Sequence, residues 1–352
     1  MTVKLFSKEE WISTLKGVQD SCRIFVPAEN GDYHSFLDLK DDVEPDFGFQ
    51  NSRLSAKAVV FPQSERMFEF KVGGDDPEAD ILKDAPKDYS FQAVVGIRPC
   101  DAHGFQIVKR NFDNPEYQDP WWVKRYESTI LVGLGCGNPC STCFCTSVGG
   151  GPFDETNLDV LLYDLGDRML AKGITGRGTD FLNSLSGGRD ADDSDLEQAE
   201  SLSAASSDKM GKNHVSTDQL RDKVVTELFD AGFWEDVAFS CINCGTCTFL
   251  CPTCWCFDIQ DEVYNGQGDR IRNWDTCMSP LFTLEGSGHN PRQNKFQRVR
   301  QRFMHKLKYY VDKYESGVQC SGCGRCVRFC PVNIDIRRVA EMMNSFKKQS
   351  NT

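Results

Sequence analysis

Two stretches of this chain repeat one thiol spacing: Cys241-x2-Cys244-x2-Cys247-x3-Cys251-Pro252 and Cys320-x2-Cys323-x2-Cys326-x3-Cys330-Pro331. Thiolate is a soft ligand, so it selects iron–sulfur clusters, zinc or cuprous copper over magnesium or calcium. Three cysteines of a tight loop can take three corners of a cubane. The fourth, turned away at the proline, ligates the cluster of the other half. The spacing therefore assigns Cys241, Cys244, Cys247 and Cys330 to one [4Fe–4S] site and Cys320, Cys323, Cys326 and Cys251 to its neighbour. A zinc ribbon or finger would use two Cys-x2-Cys pairs, without a third thiol in each loop or the trailing Cys-Pro.

A second thiol group lies far upstream: Cys100, then Cys136, Cys140, Cys143 and Cys145. Five thiols are one more than a cubane needs. Spacing alone supports a third metal cluster over buried structural cysteines, which behave as small hydrophobes. Gly133, Gly135 and Gly137, then Gly149 to Gly151, leave room for backbone amides near cluster sulfurs, because glycine has no Cβ. A nucleotide loop is the weaker reading of these glycines. A dinucleotide fingerprint opens a helix, whereas here proline and three more cysteines follow.

These thiols need elements to hold them. Phe91–Ile97 and Thr129–Leu134 are apolar runs of strand length, the first leading to Cys100 and a helix over Ala102–Asn111, the second to Cys136. In a parallel sheet ligands gather at the carboxyl ends of strands. Arg23–Pro27, Ala58–Pro62, Leu158–Asp164 and Arg168–Ile174 read as further strands, so residues 1–185 form an α/β domain with the third site. Residues 186–215 read as an acidic linker, mobile or partly helical, since seven acidic and no basic residues fall between Asp190 and Asp208. Ser216 or Thr217 is expected to cap a helix reaching about Phe229, and 216–352 to form a mostly α-helical domain with an expanded two-[4Fe–4S] ferredoxin-like module. The stretch between Cys251 and Cys320 is too long for a bare loop and must hold structure of its own.

The chain has 352 residues, 17 cysteines and a net charge of −12. The length suggests about two domains. The charge argues against nucleic acid as a main partner. The first ten residues turn acidic where a signal peptide needs an apolar stretch. Many cysteines without such a signal point to a cytoplasmic protein with reduced thiolate ligands rather than a disulfide scaffold. No apolar run is long enough to span a bilayer.

Gly96-Ile97-Arg98-Pro99-Cys100-Asp101, Thr142-Cys143-Phe144-Cys145-Thr146-Ser147 and Cys251-Pro252-Thr253-Cys254-Trp255-Cys256-Phe257-Asp258 together resemble one iron–sulfur subunit family. It comprises the sulfhydrogenase beta subunits and the corresponding iron–sulfur subunits of anaerobic sulfite reductase. Related chains are the electron-input subunits of heterodisulfide reductase complexes. Trp274–Met278, Gly288–Arg292 and Arg298-x-Arg300-x-Arg302-x-x-His305-Lys306 add to the resemblance, which covers about residues 90–340. It implies three [4Fe–4S] clusters and a hetero-oligomer, and no catalytic site of the chain's own is assigned. The chain would carry electrons between a flavin/NAD(P)H-binding subunit and a catalytic oxidoreductase subunit of heterodisulfide reductase, hydrogenase or sulfite reductase type. The resemblance also chooses among the five upstream thiols: Cys100, Cys136, Cys143 and Cys145 match ligand positions, whereas Cys140 stands where glycine is usual and is a bystander.

Cys254, Cys256 and Cys277 belong to none of these sets. They read as small buried residues or as a thiol set with its own disulfide or sulfur chemistry, the alternative function for this chain. Eight Lys or Arg and one acid lie between Arg292 and Lys313. Cluster support is the favoured reading over a docking face or a solvated helix face, because Arg298, Arg300 and Arg302 alternate instead of lining one helical face. The five histidines show no metal-ligand spacing with one another.

Overall fold

A computed structural model describes residues 2–73, 77–210 and 213–347. In chain order the first part comprises β1 (Val3–Ser7), α1 (Lys8–Gly17), β2 (Arg23–Asn30), β3 (Tyr33–Asp38), α2 (Lys57–Val60), β4 (Ser64–Lys71), β5 (Lys83–Asp84) and β6 (Gln92–Ile97). Next come α3 (Pro99–Phe112), α4 (Pro120–Glu127), β7 (Thr129–Leu134), β8 (Val160–Asp164), β9 (Arg168–Gly173), α5 (Gly176–Ser184), β10 (Arg189–Asp190) and α6 (Asp193–Met210). The remainder is α7 (Val225–Phe229), α8 (Phe233–Phe239), α9 (Thr246–Phe249), β11 (Phe257–Tyr264), β12 (Gln267–Trp274), α10 (Lys295–Met304), α11 (Tyr310–Tyr314), α12 (Arg325–Arg328) and α13 (Ile336–Ser345).

An eight-stranded sheet in the order β10-β1-β9-β8-β7-β6-β2-β3 forms the α/β part. Its centre, β2-β6-β7-β8, is parallel, and β6 and β7 are buried at every position, as expected of strands covered on both faces. Their carboxyl ends lie side by side. Cys100 starts α3 just beyond β6, and Cys136 follows β7, so adjacent strands deliver the first two upstream thiols to one edge.

The long insertion between Cys251 and Cys320 holds the β11–β12 hairpin. It does not stay with the C-terminal part. β12 pairs with β4, giving a four-stranded sheet β11-β12-β4-β5 built from both ends of the chain. Buried Arg272 of β12 clamps it there, bonding Glu65 of β4 at 2.5 Å and also Asp119 at the start of α4. Interlocking runs the other way too, because Phe144 lies in the core formed by Leu228, Trp234, Phe303 and Val339.

Two local expectations are corrected. Ala58–Val60 is a helical turn, α2, rather than a strand; a short apolar run does not separate the two. The helix expected from Ser216 or Thr217 to Phe229 is broken into a turn at Asp218–Leu220 and α7. Lys308 Nζ takes the carbonyls of Leu220 and Arg221, which an unbroken helix would use for its own ladder. Within the acidic stretch, α6 runs 18 residues. Ala199, Ser206 and Met210 are buried along it, and Asp195 pairs with Arg168 and Arg189.

Candidate metal centres

The two C-terminal thiol loops share a backbone. Asn243 and Gly322, at equivalent places, have φ of 56° and 66°; Gly245 and Gly324 have φ of 75° and 73°. These left-handed turns bend each loop around its first three cysteines and start the short helices α9 and α12, which pack together. Amides point at sulfur: Asn243 N–H to Cys241 Sγ and Gly322 N–H to Cys320 Sγ at 3.4 Å, and Ile334 N–H to Cys330 Sγ at 3.2 Å. Such bonds favour thiolate over thiol and tune a bound cluster.

The structure brings each expected thiol set together. Cys241, Cys244, Cys247 and Cys330 line one cavity, with Cys326 and Arg302 in its wall. Cys251 lies close enough to Cys320, Cys323 and Cys326 for its charge to act on all three; burial pushes Cys320 up to about 12, and the charges of Cys251 and Cys323 add to it. Cys100, Cys136, Cys143 and Cys145 line a second cavity. Cys140 lines it as well, and its carbonyl lies 3.0 Å from Cys143 Sγ. Burial is the first cause raising the Cys100 and Cys136 thiols. A bound metal would reverse this and hold both as thiolates.

The middle set touches both others. Cys326 lines the first cavity, and Cys323 lines the upstream one. Backbones meet at that second junction. Phe144 N–H donates to Gly322 O at 2.7 Å, and a Cβ on Gly322 would stand 2.6 Å from the Cys145 backbone. Asp101, next to Cys100, pairs with Arg325, between Cys323 and Cys326. Gly104 of α3 leaves space filled by Pro252, the proline after Cys251. α6 closes the upstream cavity: Met210 Sδ lies 3.5 Å from Cys143 Sγ, and Ser206 Oγ bonds Cys136 O.

The basic run is a helix, and here the expectation from alternation is overturned. Arg298 and Arg302 of α10, with Lys306 in the π-helical turn after it, fall four residues apart and are all buried. The i, i+4, i+8 spacing was the available signal. Arg298 bonds the Arg292 and Gln293 carbonyls. Arg302 Nη1 approaches Cys254 Sγ at 3.7 Å, and Lys306 Nζ holds Thr253 O at 3.0 Å. Burial acts against the Arg302 charge, but the thiols of Cys247, Cys254, Cys326 and Cys251 raise its pKa well above the ordinary value. Lys57, from α2, reaches Cys254 O at 3.0 Å. Among the described residues none of Lys57, Arg302 and Lys306 pairs with a carboxylate. Three buried cations need anionic partners, and cysteine sulfur is what surrounds them, so the site suits metal–thiolate groups of net negative charge.

Residues 240–334, which contain all eight C-terminal ligand candidates, match the model of a 4Fe–4S dicluster domain. The sulfhydrogenase 2 subunit beta of Pyrococcus furiosus is 28% identical over 344 residues, covering 96% of this chain and 97% of that protein. No solved structure matches. No helix among the described residues is long and apolar enough to cross a membrane.

Proposed function

We propose, from its likeness to the sulfhydrogenase beta subunit and to the 4Fe–4S dicluster domain, that this chain is the electron-relay subunit of a hydrogenase-type complex. In this reading Cys241, Cys244, Cys247 and Cys330 hold one [4Fe–4S] cluster, Cys320, Cys323, Cys326 and Cys251 a second, and Cys100, Cys136, Cys143 and Cys145 a third. Bound clusters supply one-electron redox chemistry, their potentials set by burial, hydrogen bonds and nearby charge. The chain's own residues hold them in a row and exclude water.

The observation that carries the proposal is the middle thiol set, which shares Cys326 with the wall of one cavity and Cys323 with the wall of the other. A relay needs such adjacency, whereas a structural metal site does not. The row has an accessible end. Cys244 is exposed, and Phe239 and Ile242 beside it are 85% and 61% exposed. An exposed apolar rim around a redox centre suits docking of a partner protein. The partners are a flavin/NAD(P)H-binding subunit and a catalytic oxidoreductase subunit, the assembly working in the cytoplasm. Substrate chemistry belongs to those partners' cofactors.

Iron and acid-labile sulfide analysis of anaerobically purified chain tests this directly. Three cubanes correspond to about twelve irons per chain. A colourless preparation with zinc in place of iron would refute it. Purification of the tagged chain from its host, with a flavoprotein and a catalytic subunit in equal amount, tests the partners.

A further inference from the structure

Five cysteines remain outside the relay: Cys22, Cys140, Cys254, Cys256 and Cys277. Cys254 is buried under Arg302 beside Cys251 and has a packing role. Cys256 and Cys277 differ in being only half-buried. The base of the β11–β12 hairpin puts them together. Phe257 pairs with Trp274, and Asp275 N–H closes on Cys256 O at 2.9 Å. This sets Cys277, two residues beyond Asp275, beside Cys256. Lys57, stacked 3.7 Å above the Trp274 ring, and Lys306 supply positive charge on the inner side.

We propose that Cys256 and Cys277 are a redox-active dithiol that exchanges with organic disulfides, Cys256 attacking and Cys277 resolving. The Cys256 thiolate attacks one sulfur of RSSR, forming a mixed disulfide and expelling RS⁻, which takes up a proton. Cys277, losing its proton, attacks the Cys256 sulfur, closes the Cys256–Cys277 bond and releases the second RSH. In sum two protein thiols are oxidised and one organic disulfide is reduced. Reopening the protein disulfide takes two electrons and two protons, the electrons coming from the iron–sulfur chemistry proposed above; only this return half rests on that reading. The contact with Cys277, together with Lys306 and Lys57, outweighs burial and lowers the Cys256 thiol to about 7. Near neutral pH that combines a large thiolate fraction with good nucleophilicity.

The test treats the full-length anaerobic chain with 2-hydroxyethyl disulfide and maps cysteines by mass spectrometry. Native protein should release two mercaptoethanol molecules and yield a peptide pair cross-linked between Cys256 and Cys277. Cys277→Ser should accumulate one mercaptoethanol adduct on Cys256, and Cys256→Ser should give neither adduct nor cross-link, both variants keeping native iron content. Iodoacetamide labelling of Cys256 in the unmutated chain should rise with a midpoint near pH 7. Iron loss in either variant would make these residues ligands instead and overturn the proposal. So would a missing cross-link, or a labelling midpoint at the ordinary thiol value. A chain that performs the exchange but contains no iron would keep this inference and refute the relay.

Discussion

Asp101 and Arg325 form a fully enclosed bidentate ion pair, Arg325 Nη1 and Nη2 donating to the two carboxylate oxygens at 2.5 and 2.7 Å. The residues are 224 positions apart in sequence and 0% and 1% exposed. Asp101 follows a thiol of the upstream set, and Arg325 lies between two thiols of the middle set. Arg325 also donates to Ser52 O and Asn51 Oδ1, so the pair is held on every side. Breaking a buried pair from one side leaves an uncompensated charge. Asp101→Asn should therefore cost about 3 kcal/mol or more of stability, read as a lower thermal unfolding midpoint. Unchanged stability would show that the junction of the two sites does not depend on this bridge.

The five upstream thiols can be told apart by iron content. Cys100→Ala, Cys136→Ala, Cys143→Ala and Cys145→Ala should each lose about four irons, one cubane, and leave the C-terminal pair intact. Cys140→Ala should retain the full complement. The structure puts Cys140 in the same cavity, so iron loss in that variant alone would exchange the ligand assignment.

Arg302 stands among thiols of the first and middle sets and Cys254. A buried cation favours the more negative, reduced form of a neighbouring cluster. Arg302→Met should move the potential of at least one C-terminal cluster downward by roughly 60 mV, a tenfold change in a one-electron equilibrium. Redox titration followed by electron paramagnetic resonance measures it. An upward shift would contradict the electrostatic role.

Glu65 joins the two ends of the chain through Arg272, Arg125 and Lys87. Burial opposes its charge, but Arg125 and then Arg272 hold its carboxyl below the ordinary value of 4.5. A depressed carboxylate stabilises the fold above its unfolded pKa, and this contribution is lost as pH falls through the folded value. Glu65→Gln should lower stability by about 3 kcal/mol at neutral pH and flatten the decline below pH 4.5. Parallel acid limbs in native and variant protein would count against this.

Gly322 has positive φ, and its missing Cβ admits the Cys145 backbone. Gly322→Ala should separate the middle and upstream sites, giving a lower unfolding midpoint and slower internal electron exchange at unchanged iron. Native exchange rates would show that this close approach is not needed.

The thiol spacings alone offered two C-terminal candidate ligand sets and gathered the upstream thiols, and the apolar runs before Cys100 and Cys136 placed those residues at strand ends. Both are local: a cubane dictates ligand spacing, and a buried strand must be apolar. What pairs with what across the fold was not legible. Nothing in the spacing shows that Cys323 borders the upstream set, that Arg325 meets Asp101, or that the insertion after Cys256 adds strands to β4. Those contacts depend on packing between segments far apart in sequence, where complementary shape and buried charge, rather than any periodic pattern, select the partner. The proposed pairing of Cys256 with Cys277 is of this kind, since only the folded hairpin base brings Asp275, two residues before Cys277, against Cys256. Local chemistry is written along the chain, and only the folded packing sets the order in which its sites meet.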